Sequence, residues 1–181
     1  MYEEAKLDEA NYFYSQMSTT FDDNKKFRYN LSAFLTSARS VLQYALEEAK
    51  GKTGGQVWHD KQIAASHTLG FFKDKRDVNI HTEPVRPTKH LTATITAKIG
   101  LRDSASVIVK DASGNILSES STSSSQNDTK PQSLPKSESI TVRWVFSDWA
   151  GPEDVMTLCQ KCIDELDDLV KDGIKQGFLT G

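Results

Sequence analysis

Arg76 and His81 stand five residues apart, with Asp77 directly after the arginine and Glu83-Pro84 just beyond the histidine. An arginine fork clamps phosphate and stabilises the charge that develops on it. An imidazole titrates near neutral pH and can move a proton. Asp77 and His81 are i,i+4, so on a helix the carboxylate faces the ring and favours its charged form. Together these three residues suit phosphodiester chemistry. On an unbroken helix the five-residue step from Arg76 to His81 turns about 500°, leaving the two side chains about 140° apart. They converge only where the helix bends or unwinds before His81, and Pro84 is placed to end it there. The plain alternative is a charged helix end with a C-terminal cap.

The surroundings are cationic. Between Phe71 and His90, Lys73, Lys75, Arg76, Arg86 and Lys89 outnumber Asp74, Asp77 and Glu83, while the whole chain carries −3. A positive stretch on an acidic protein points to an anionic ligand.

Other constellations are weaker. Cys159 and Cys162 form a CxxC inside an apolar helical stripe, and no second pair completes a metal set, so they read as buried core. His59 and His67 are eight residues apart, too far for one metal, and read as surface histidines. Asp164, Glu165, Asp167 and Asp168 read as the solvated face of the last helix. No Gly-rich phosphate loop and no Ser/His/Asp arrangement stands out. No metal set and no cofactor is expected from these residues.

Long helices must carry these residues. Leu7, Ala10, Phe13, Tyr14 and Met17 predict a helix over 3–18. Asp22, Asp23 or Asn24 then caps a second over 24–50, whose apolar positions from Phe27 to Ala49 form a single wide stripe, with Gly51 as a left-handed terminator. A third helical segment spans 57–80, weakened by Gly70, which places a break near Thr68 to Gly70. From Leu91 the period becomes two: Leu91, Ala93, Ile95, Ala97, Ile99 and Leu101 predict a strand with one buried face. A second strand at 105–109, a turn at 111–115 and a return at 116–119 follow. Residues 118–139 hold nine serines and read as a mobile loop. A last strand puts Ile140, Val142, Trp144 and Phe146 on one face, and Pro152 with acidic neighbours opens a final helix over 153–176. The expectation is one α+β domain, mainly α. It is four-helix-bundle-like, with a three- or four-stranded antiparallel sheet (91–146) inserted before the last helix.

At 181 residues and pI near 5.8 the chain is not a general nucleic-acid coat protein, and DNA is not expected as a partner. No apolar run approaches the roughly 20 residues of a membrane span, and the acidic start MYEEAKLDEA does not look like a signal peptide. Two cysteines make no disulfide framework. A cytoplasmic protein with no membrane partner is expected.

The run Arg76-Asp77-Val78-Asn79-Ile80-His81, near the end of a helix in a helical bundle, resembles the motif of HEPN domains. These are the ribonuclease and RNA-binding helical bundles of prokaryotic toxin and defence systems. The resemblance implies metal-independent RNA cleavage or binding by a homodimer whose paired motifs share one cleft. Arg76 and His81 would be the catalytic pair, with Asp77 at the motif's polar position. Lys73, Lys75, Asn79 and Arg86 would contact substrate. The other reading is a non-catalytic protein whose bundle and sheet bind a protein partner.

Overall fold

The computed structural model describes residues 2–96, 104–110, 116–123 and 137–181, apart from the side chains of Ile80, His81 and most of the inserted strands. The order is α1 (Tyr2–Thr19), α2 (Asn24–Lys50), α3 (Gly55–Ala65), α4 (His67–His81), β1 (Thr88–Thr96), β2 (Ser104–Lys110), β3 (Ile116–Ser123), β4 (Ser137–Val145) and α5 (Val155–Lys175). The protein is thus mainly helical, with β strands inserted before the last helix. It divides into two compact units, residues 1–91 with 142–181, and residues 92–141.

The first unit is built on α2. The Asp23 carboxylate accepts from the Lys25 and Lys26 N–H groups at 3.0 Å each and starts the helix. Phe27, Leu31, Phe34, Leu35, Ala38, Val41, Leu42, Ala45 and Ala49 are all buried along its stripe. Burying each large member stabilises by about 1.5–3 kcal/mol, enough for one helix to organise the other four. All four pack on it. Gly51 does not take the expected left-handed conformation. Its φ is −69°, and the turn is made at Gly54, with φ 82°. The next residue, Gly55, comes so close to the Ala49 carbonyl that no side chain fits there.

The third helical segment is two helices, broken earlier than expected, at Ser66. Ser66 has extended backbone angles (φ −111°, ψ 112°), ends α3, and caps α4 by accepting the Leu69 N–H at 2.9 Å. Gly70, where weakness was expected, lies inside α4 and donates to the Ser66 carbonyl. A side chain that can hold the next helix's first turn outweighs the ~1 kcal/mol propensity cost of one glycine. The last helix likewise opens later than expected. Asp154 is its N-cap and accepts the Thr157 N–H, and Pro152 stays outside.

β1 pairs with β4, and β2 with β3. The second pair is antiparallel, with Ser104 opposite Ser123 and Val109 opposite Ser118. Among the described residues the strands therefore form two ribbons, not one three- or four-stranded sheet. Residues Ser120–Ser123, expected only in a loop, belong to β3, where ladder pairing overrides a serine-rich composition. Leu91 is exposed, against the expected buried face, and residues 97–103, 111–115 and 124–136 lie outside the described part.

Trp144 closes the core of the first unit. Its ring stacks on Phe27 at 4.4 Å and 7°, and its indole N–H donates to the Phe21 carbonyl at 3.0 Å. At the other end Gly177 (φ 78°) turns the chain after α5, so that Leu179 tucks back and its N–H reaches the Gly173 carbonyl.

Candidate functional site

α4 is fixed by its apolar side. Leu69 and Phe72 are buried, Phe72 meets Phe34 edge-on at 5.8 Å, and Phe71 packs on Phe146. The face that carries Phe72 carries Asn79 two turns later. Asn79 donates from Nδ2 to Ser32 Oγ on α2 at 2.8 Å and accepts the Val85 N–H on Oδ1 at 3.0 Å. Its amide is therefore occupied by the fold, whereas the sequence offered it as a substrate contact. The helix closes with the Thr82 and Glu83 N–H groups on the Val78 carbonyl, and Pro84 follows.

The backbone remains helical through His81, so the unwinding that would bring Arg76 and His81 together does not occur. The His81 side chain lies outside the described residues. Asp77, expected to orient His81, accepts from Arg76 Nη1 at 3.1 Å. Arg76 is largely buried, with 21% of its side chain exposed, and its Nε–H is buried with no partner among the described residues. A buried donor left unmade costs about 1–3 kcal/mol, more on a charged group. An Arg–Asp pair this accessible contributes under about 1 kcal/mol. The arginine is thus partly desolvated, held on one arm and unsatisfied on another.

The remaining cations point elsewhere. Lys75 Nζ sits 2.5 Å from Asp148 Oδ2 and over the rings of Phe71 and Phe146 at 5.2 and 5.3 Å. It lines a cleft of about 140 Å³ with Val78, Glu83, Val85, Arg86 and Phe146, among others, where two cations and two acids balance. Lys73 is half-buried and Arg86 exposed. Lys75 and Arg86 therefore share a cleft that Arg76 does not line. Lys89, a fifth cation, donates to the Asp22 carbonyl at 3.2 Å and lies over Trp144.

Cys159 and Cys162 are buried, as their place in the stripe implied. Burial pushes both thiols up, helped at Cys159 by Cys162 and at Cys162 by Glu165. High-pKa thiols are poor nucleophiles and poor metal ligands. His67 is exposed and packs against Trp149 at 4.6 Å. His59 corrects the surface reading: it is 2% exposed, with Nε2 3.0 Å from the Leu42 carbonyl. It shares a helix face with Ile63, four residues on, and that spacing is the signal for its burial.

The acidic face of α5 is only partly solvated. Glu165 accepts from the Ser66 hydroxyl, and Asp172 Oδ2 accepts from Trp58 Nε1, Gln62 Nε2 and Gln176 Nε2 at 2.8, 2.8 and 2.7 Å. These donors, led by Trp58, hold Asp172 below the usual carboxylate range. Both acids border a groove of about 600 Å³ between the α3–α4 break and α5. No cluster of three or more His, Cys, Asp or Glu suited to a metal occurs among the described residues, and no described helix is long and apolar enough to cross a membrane. Comparison with protein-family models, curated proteins and solved structures found no match.

Proposed function

We propose that the protein is a HEPN-like, metal-independent RNA-binding or RNA-cleaving protein whose site is the C-terminal half of α4. The observation that carries this reading is Arg76. A part-buried guanidinium whose buried Nε donor has no partner among the described residues is costly to the fold and would gain one from a phosphate oxygen once the side chain turns outward. In this reading Arg76 clamps the phosphate and Asp77 fixes the guanidinium; since α4 stays helical and turns Arg76 and His81 of one chain about 140° apart, the His81 that moves the proton from the 2′-hydroxyl to the leaving oxygen comes from the other copy of the homodimer. Lys73, Lys75 and Arg86 supply longer-range attraction, and a homodimer brings two motifs to one cleft. The helical packing around α2 is the four-helix-bundle-like frame for this motif, extended by the split of its third member.

The test is cleavage and binding of a mixed single- and double-stranded RNA panel in EDTA, with Arg76→Ala and His81→Ala alongside. Loss of activity in both variants at unchanged thermal stability supports the reading. No binding or cleavage by the wild type, or equal activity in all three, overturns it.

A second reading has its own observation. Tyr2, Tyr12 and Tyr29 are 76%, 58% and 63% exposed on α1 and α2, and Tyr2 packs on the less exposed Tyr44 at 5.5 Å. Exposed tyrosines are favoured protein-contact residues, so a non-catalytic protein-binding role would use these rings.

A further inference from the structure

The amide of Asn79 joins three segments at the end of α4. Nδ2 donates to Ser32 Oγ on α2, and Oδ1 accepts the Val85 N–H from the chain leaving the helix. The loop closed by the second bond contains His81, Thr82, Glu83 and Pro84. Asn79 thereby anchors the last turn to the central helix and fixes the path by which the chain departs. Resting on the RNA reading above, we infer that Asn79 is a positioning residue for the site: it fixes the backbone at residue 81 relative to Arg76 and does not itself touch RNA. Helix ends fray, because their last carbonyls lack intrahelical partners. Displacing a reacting group by about 1 Å costs on the order of 100-fold in rate. A motif residue at the final position of a helix therefore needs an external tie, and Asn79 supplies one from the turn below it.

Aspartate at 79 keeps the acceptor for Val85 and can accept from the Ser32 hydroxyl, so it preserves the tie. Leucine removes both bonds at similar volume, and Ser32→Ala removes one from the opposite side. Wild type, Asn79→Asp, Asn79→Leu and Ser32→Ala are compared by steady-state RNA cleavage in EDTA and by amide hydrogen exchange of residues 80–86. The expected result is faster exchange confined to 80–86 in Asn79→Leu, with kcat down about tenfold or more and KM within about twofold. Ser32→Ala falls between wild type and Asn79→Leu, and Asn79→Asp stays near wild type. Should Asn79→Leu not fold, the order wild type, Asn79→Asp, Ser32→Ala decides. A rise in KM at constant kcat would make Asn79 a substrate contact and overturn the inference. So would unchanged kcat despite faster local exchange, while leaving the RNA reading intact. A wild type inert towards RNA overturns both together.

Discussion

Asp172→Asn isolates what one carboxylate does for the helical unit. Asp172 Oδ2 gathers the indole N–H of Trp58 and the amide groups of Gln62 and Gln176, all within 2.8 Å, and so ties α3 to α5. Trp58 is only 6% exposed, so its N–H has little recourse to water. Hydrogen bonds to a charged acceptor contribute about 1.5–3 kcal/mol, and neutral ones about 0.5–1.5. Asparagine keeps an acceptor oxygen but loses the charge on every bond. After allowance for partial exposure at Gln62 and Gln176, the loss is about 2 kcal/mol at pH 7. The sign with pH follows from the depressed pKa. A carboxyl held below its ordinary 3.8 contributes stability that is present above that value and lost as pH falls through the folded value. The gap between wild type and variant in urea unfolding should therefore be full at pH 7 and close as the pH falls below the ordinary carboxylate range through the folded value. A gap below about 0.5 kcal/mol at pH 7 would show that the three bonds carry no charge assistance, and a gap that survives in acid would refute the linkage argument.

Gly55→Ala should destabilise by about 2 kcal/mol or more, because the new Cβ would meet the Ala49 carbonyl oxygen at 2.0 Å and backbone must move. Gly54→Ala, with open space but φ 82°, should cost only about 1–2 kcal/mol; the reverse order in thermal or urea unfolding would contradict the close approach. Cys159 and Cys162 should resist a thiol reagent at pH 8 in the native protein and both react in denaturant, since burial raises their pKa values. Rapid labelling of either thiol in the native state would show that α5 does not bury its CxxC.

What could be read from the chain follows from how local each signal is. α2 was legible residue by residue because its stripe runs unbroken from Phe27 to Ala49 and a carboxylate stands ready to cap it. The break between α3 and α4 was expected too late, at the residue that weakens a helix, whereas it occurs at the one that caps the next. The partners of His59 and Asn79 were not legible, for a shared reason. Both are polar side chains at buried-stripe positions, and their partners, the Leu42 carbonyl and the Ser32 hydroxyl, lie 17 and 47 residues away. Spacing shows which face a residue occupies but not which distant group completes its hydrogen bonds. The same holds for Asp77, whose i,i+4 relation to His81 was legible while its bond to the adjacent Arg76 was not. The charge of the 71–90 stretch was visible, but the division of its cations, Lys75 and Arg86 in one cleft and Arg76 outside its lining, depends on Phe146 and Asp148, supplied from the far side of the insertion.

The central claim is that Arg76 keeps its Nε–H donor for RNA phosphate, and nuclear magnetic resonance can observe that group directly. A short RNA is titrated into ¹⁵N-labelled protein in EDTA while the Arg76 Nε–H signal, assigned with Arg76→Lys, is followed together with the backbone amides. The account predicts a large, saturable shift of the Arg76 Nε–H signal, with accompanying amide shifts confined to about residues 73–86, and loss of the response in Arg76→Ala. Saturable binding that leaves Arg76 unmoved and instead perturbs α1 and α2 around Tyr2, Tyr12, Tyr29 and Tyr44, or no binding at all, would contradict it.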